Sequence, residues 1–187
     1  YGQSSRLSKN GPLFSSHYVL LQKHIVKGLT AGAIKDKPGP IGAASERESV
    51  IAELICDGHH VHPSAVRMAF RLFPGRICLI SDALRCCGMP DGQYMLGGQK
   101  VFLSSGVARL ADGTIAGSAA NLYDCMKNAV AFGIPREQAI PAATLIPARE
   151  IGRADEIGSI DNGKLADFIL CDDALARRAV FLSGTAL

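Results

Sequence analysis

The chain has 187 residues, with 20 Lys and Arg against 17 Asp and Glu, a formal net charge of +3. That bias is too weak to make nucleic acid or an anionic membrane the main partner, and 48% hydrophobic against 20% charged residues excludes a disordered chain. The length fits one domain, or one domain with a small appendage, and falls short of a complete eight-stranded α/β barrel, which typically takes about 250 residues and about 200 in compact versions.

The start, Tyr1-Gly2-Gln3-Ser4-Ser5-Arg6, is neither a signal peptide nor a start Met and reads as a chain cut from something longer. His17-Tyr18-Val19-Leu20-Leu21 has the character of a strand leading toward His24, and the Gly- and Pro-rich stretch from Gly28 to Gly42 reads as loop. Ser49 to Cys56 is an apolar strand that runs into the turn signal Asp57-Gly58. Ser64 is placed as the N-cap of a helix with Val66, Ala69, Phe70 and Phe73 on one face. After Pro74-Gly75, Ile77 to Ile80 is too short for a helix and reads as a buried strand ending at Ser81-Asp82.

Short β-like pieces around Tyr94-Met95-Leu96 and Val101-Phe102-Leu103, separated by Gly-rich turns, suggest an excursion from the main scaffold. Ser118 is read as the cap of a helix carrying Leu122, Cys125, Met126, Ala129 and Val130 at helical spacing, stopped by Gly133. Pro135 opens a further helix whose face is Ala139, Ile140, Ala143 and Thr144, with Pro141 awkward inside it. Gly158-Ser159-Ile160, Ala166 to Leu170 and Ala179 to Leu182 read as short strands. The alternation of strands and helices in the middle argues for a parallel sheet or barrel.

No window holds eighteen consecutive apolar residues, so there is no transmembrane candidate. The six cysteines form no CxxC pair, which argues against a zinc knuckle and for a reduced, cytoplasmic chain. With no Trp and 6% aromatics there is no evident stacking platform for bases or sugars.

Three apolar strand candidates end in histidines or carboxylates: His24, then Asp57 with His59 and His60, then Asp82. In α/β barrels such C-terminal strand ends line the site, and a histidine metal ligand beside a carboxylate base is the make-up of a metal-assisted hydrolase. Asp57-Gly58 is first a turn signal, so a structural role is the expectation for Asp57. Asp82 is the stronger candidate, because a carboxylate ending a buried strand is costly unless partnered or used. Of His59, His60 and His62, at most two can face one site. Cys86-Cys87 reads as loop and core packing. Ala116-Gly117-Ser118, read as a helix start, offers N–H groups suited to an anion.

At these residues the chain resembles the C-terminal half of the N-acetylglucosamine-6-phosphate deacetylase family, of the amidohydrolase superfamily. The resemblance is carried by Ala52 to Pro63, Ile80-Ser81-Asp82-Ala83, Gly88 to Gly92, Leu96-Gly97-Gly98, Asp112 to Ser118, Gly158-Ser159-Ile160 and Gly163 to Asp167. It implies part of a (β/α)8 barrel over residues 1–150 and C-terminal strands of a small β domain over 151–187. It implies Asp82 as the catalytic carboxylate, which activates the attacking water and then protonates the leaving amine. It implies His60 as the histidine at the acetamide carbonyl, with Ile115, Ala116, Gly117 and Ser118 as the loop at the substrate. His24 aligns with a metal histidine of the family, and Gln3 stands at the position of another, where imidazole would be the better ligand. Lys27, followed by Gly28, stands where the family contacts phosphate through Asn, and Asp36 stands near its phosphate-binding Arg. The implied cofactor is a divalent zinc, iron or manganese ion, the implied partner an amino-sugar phosphate, and the implied assembly a homo-oligomer. The other expectation is a truncated or degenerate copy, acting at most as a phosphosugar-binding or subunit-interaction module.

Overall fold

The computed structural model describes Val19–Leu20 and residues 40–187. Gln3, His24, Lys27, Gly28 and Asp36 lie outside the described residues. Strand β1 (Val19–Leu20) runs parallel to β2 (Ala52–Ile55), which runs parallel to β3 (Ile77–Ile80), giving one three-stranded sheet in the order β1-β2-β3. Parallel strands need a covered crossover; helix α2 (Pro63–Leu72) supplies it between β2 and β3. A shorter helix, α1 (Pro40–Ser45), precedes β2. The strands are apolar because they are covered: Ala52, Leu54, Ile77, Cys78 and Leu79 are all buried.

The core is completed from the far end of the chain. Helix α3 (Leu122–Ala131) buries Cys125, Met126 and Ala129, and α2 buries Val66, Ala69 and Phe70, in the same cluster as the sheet. Both helices begin later or earlier than a serine-cap reading expects. His62 caps α2, its ring accepting from Ser64 N, and Asn121 caps α3 by accepting from Asp124 N at 2.9 Å. Ser64 lies inside α2, and Ser118 lies in a strand.

The predicted helix after Pro135 is broken in two. Helix α4 (Arg136–Ala143) ends just beyond Pro141, and α5 (Leu145–Glu150) restarts after Thr144. A proline inside a helix removes one hydrogen bond and crowds the preceding turn. The break resets the buried face to Ala139, Ala142, Ile146 and Ala148, while Ile140 is exposed.

Between β3 and α3 the chain builds a four-stranded antiparallel sheet, β4 (Gly92–Leu96), β5 (Gln99–Ser104), β6 (Val107–Leu110) and β7 (Ile115–Ser118). It is the excursion the sequence suggests, with its own small core of Cys86, Val101, Leu103 and Ala108. The tail forms a third sheet, β8 (Phe168–Cys171), β9 (Arg177–Leu182) and β10 (Thr185–Ala186), antiparallel throughout. Phe168 and Phe181 stack across it with centroids 4.5 Å apart. It is tied to the helices where Tyr123 Oη donates to Leu175 O at 3.0 Å. Gly158-Ser159-Ile160 is not a strand: it lies in a bend, with Ile160 fully in solvent.

That bend docks on the broken helix. A Cβ on Gly158, at φ +91°, would stand 2.7 Å from Ala148 Cβ and 3.0 Å from Thr144 O. On Gly163, at φ +86°, it would meet nothing within 4 Å. Gly158→Ala is therefore expected to cost about 2–4 kcal/mol, overpacking added to left-handed strain, and Gly163→Ala only about 1–2 kcal/mol. Urea denaturation of the two variants, compared at equal slope, checks the difference.

Candidate functional site

The register of the parallel sheet sets the level of the candidate residues. Ile55 lies opposite Ile80, so Asp57 and Asp82 each stand two residues past the last pair of adjacent strands. Both carboxylates thus leave the sheet at its C-terminal edge, the end at which α/β barrels build their sites.

Asp57 is buried and fully engaged. Its Oδ1 accepts from His59 N at 2.9 Å and His60 N at 3.0 Å, and its Oδ2 lies 2.7 Å from His60 Nδ1. Gly58 takes the positive φ of +86° that closes this turn. Asn128 of α3 braces the strand end by donating from Nδ2 to Cys56 O at 3.1 Å. Burial pushes the Asp57 carboxyl up, but the backbone amides of His60 and His59 and the His60 ring together hold it below its ordinary value. Of the three neighbouring histidines only His60 has its side chain turned inward; His59 and His62 are exposed.

Asp82 differs in kind. It is exposed, so the desolvation argument from the sequence does not apply to it. What marks it is its backbone, at φ +47°, uncommon for a residue with a side chain. The conformation is held by a segment distant in sequence: Ser118 N donates to Asp82 O at 3.2 Å, and Leu84 N donates to Ser118 O at 2.8 Å. Ala83 and Ser118 form a parallel bridge. Leu84 packs on Gly117, where a Cβ would stand 2.9 Å from two of its carbons. The Ser118 side chain is buried, and its Oγ accepts from Ala120 N at 3.0 Å.

Ile115 to Ser118 are therefore a strand bonded to the Asp82 segment, not a helix start. The helix-start premise of the anion-binding reading is thereby corrected: α3 begins at Leu122, and the Ser118 amide donates to Asp82 O. The structure brings Ser118 and Gly117 against the segment of Asp82, and His60 against Asp57. Sequence reasoning missed Asp57 as the partner of His60; the spacing of three residues across a glycine turn was the available signal.

All six cysteines are free, and Cys86 packs in the small second core as expected of it. Burial pushes the Cys56 thiol up to about 12 and the Cys125 thiol up to about 11, which makes both inert packing groups. Among the described residues no group of three or more His, Cys, Asp or Glu side chains could hold a metal ion. The described donors alone do not fit a metal centre. Among them, too, no helix is long and apolar enough to cross a membrane.

Comparison with known proteins places this geometry. The amidohydrolase family matches residues 29–186. The chain is 38% identical over 162 residues to a putative N-acetylgalactosamine-6-phosphate deacetylase of Escherichia coli K12, covering 86% of this chain and 96% of that protein. It is 37% identical over 148 residues to the N-acetylglucosamine-6-phosphate deacetylase of Vibrio furnissii, covering 79% of this chain and 37% of that protein. In structure it resembles an N-acetyl-D-glucosamine-6-phosphate deacetylase variant from Mycobacterium smegmatis in complex with N-acetyl-D-glucosamine-6-phosphate. The TM-score is 0.71 at 36% identity, over 82% of this chain and 42% of that one. The fold is thus a partial, unclosed barrel of the amidohydrolase type, and the chain spans less than half the length of the latter two relatives.

The depressed Asp57 carboxyl fixes a pH dependence. A group whose folded value lies below its unfolded value of 3.8 contributes stability above that value and loses it as the pH falls through the folded one. Asp112, Asp161 and Asp172 are also held low, first by the Thr114 amide, the Ser159 hydroxyl and the Ala176 amide respectively, and act in the same direction. Stability is expected to fall as the pH drops below about 4, and Asp57→Asn to make that fall shallower. Denaturation midpoints between pH 6 and pH 2 check it.

Proposed function

The chain belongs to the amidohydrolase family and is related within it to the N-acetylglucosamine-6-phosphate deacetylases; on that premise we propose that it removes the acetyl group from N-acetylglucosamine 6-phosphate. The products are acetate and glucosamine 6-phosphate. The observation that carries the reading is Asp82, presented to solvent at a strand end in a backbone conformation held by Ser118.

In this mechanism the Asp82 carboxylate takes a proton from the attacking water as its oxygen adds to the acetamide carbon. His60 contacts the carbonyl oxygen and polarises it. On collapse the C–N bond breaks, and Asp82 returns the proton to the departing nitrogen, so one carboxylate serves as base and then acid. Ile115 to Ser118 form the wall beside the sugar, and Lys27 with Gly28 hold its phosphate. When bound through His24, a zinc, iron or manganese ion would supply a lowered pKa for the attacking water. The same reading puts the barrel portion at residues 1–150 and the β portion at 151–187, and the protein in the cytoplasm as a homo-oligomer.

A second reading starts from the donors: those described do not by themselves fit a metal centre. The chain spans 37% of the Vibrio furnissii protein and 42% of the Mycobacterium smegmatis chain. On that reading it is a partial copy that binds a phosphosugar or docks to another subunit without turnover.

Metal content and acetate release from N-acetylglucosamine 6-phosphate separate the two readings, with N-acetylgalactosamine 6-phosphate run alongside. The enzyme reading expects bound metal, turnover, and a loss of kcat by a factor on the order of 10²–10⁴ in Asp82→Asn with KM little changed. Metal-free protein without turnover, unaltered by Gln3→His, supports the second reading.

A further inference from the structure

We infer that Asp57 is a positioning residue for His60, fixing the ring proton on Nδ1 and leaving Nε2 as the atom that addresses the substrate. The clause about substrate rests on the deacetylase reading; the tautomer does not. A turn brace needs only the Oδ1 atom, which takes the two backbone amides of His59 and His60. Oδ2 is surplus to that task, yet it lies 2.7 Å from Nδ1, with the His60 side chain 5% exposed and that of Asp57 3% exposed. An ionised carboxylate can only accept hydrogen bonds, so the proton of this contact belongs to Nδ1. A neutral imidazole carries one N–H, and the bond made by one nitrogen decides the state of the other. Nε2 has no hydrogen-bond partner among the described residues.

Two links follow from this placement. Asp57 ties the ring to the end of β2, and Asn128 ties that end to α3 through Cys56 O. The imidazole is therefore held at both its proton and its backbone before any substrate arrives, which spares reorganisation when charge develops on a carbonyl.

Asparagine separates positioning from bracing. In Asp57→Asn, Oδ1 keeps the two backbone amides, while the amide nitrogen replaces Oδ2. It donates to Nδ1 and so drives the ring proton to Nε2. The experiment labels the full chain with ¹⁵N-histidine and records two-bond ¹H–¹⁵N correlations at a pH where the ring is neutral, with His60→Gln identifying the signals. The expected result is an Nδ1–H tautomer in the unaltered chain and an Nε2–H tautomer in Asp57→Asn. An Nε2–H tautomer in the unaltered chain overturns the inference even if the variant does not fold, and so does an unchanged tautomer in a folded variant. Where the chain turns over, kcat should fall by a factor on the order of 10² or more in the variant with KM within a few-fold. An inverted tautomer with kcat unchanged overturns the role assigned to Nε2. An Nδ1–H tautomer in a chain without turnover leaves Asp57 in place and removes the deacetylase reading instead.

Discussion

Everything at the candidate site depends on the parallel pairing of β2 with β3. Four consecutive pairs, from Ala52 with Ile77 to Ile55 with Ile80, fix the register. Leu54, Ile55, Ile77, Cys78 and Leu79 are all buried on this pairing, so the strands are packed on both faces. The same register sends Asp57 and Asp82 out of the sheet at one level. The packing of α2 and α3 on these strands is the energetic source of that placement. Phe73, fully buried just after α2, stands for many such contacts, each side chain contributing about 1.5–3 kcal/mol.

From this shared edge the two carboxylates part ways. Asp57 is taken into the structure: every one of its oxygens has a partner, and it closes the turn that carries His60. Asp82 is given to solvent, and only its main chain is restrained, by Ser118 from the antiparallel sheet. A residue held in a sparsely populated conformation by distant contacts is a frequent mark of a functional position. The antiparallel sheet thereby acquires a purpose in the fold, since without β7 nothing described would hold the backbone of Asp82. Two identical side chains, distinguished by burial and partners alone, have opposite chemical freedom.

Much of this was legible in the sequence, and the failures have physical causes. The faces of α2 and α3 follow the helical period: Val66, Ala69, Phe70 and Phe73 are buried as predicted, as are Cys125, Met126 and Ala129, while Leu122 and Val130 are half-buried against the same core. Their caps were misplaced because Ser118 and Ser64 are good caps in isolation, whereas Ser118 is consumed by its bridge to Ala83 and His62 reaches Ser64 N first. Ile140 was expected inside and is outside because Pro141 breaks the helix and shifts its register. The segment around Ile160 reads as a strand in the sequence, but among the described residues it pairs with none and lies in a bend. Asp82 was singled out for burial it does not have. Its left-handed backbone, a feature shared with Ser105, Leu175 and Ser183, is tied at Asp82 to a segment 36 residues later in the chain and leaves no local trace. Asp57 was read as a turn residue, which it is; its second oxygen's work on His60 needs coordinates to see.

On the proposed deacetylase reading, the turn at Asp57 to His60 and the segment at Asp82 form one substrate-facing edge. Titrating the ¹⁵N-labelled chain with N-acetylglucosamine 6-phosphate tests it most directly. The account predicts saturable shifts at the His60 ring, the Asp82 amide and the Gly117 and Ser118 amides together, with the tail sheet silent. Saturable shifts confined to other surfaces, or none at substrate concentrations of several millimolar, would contradict it.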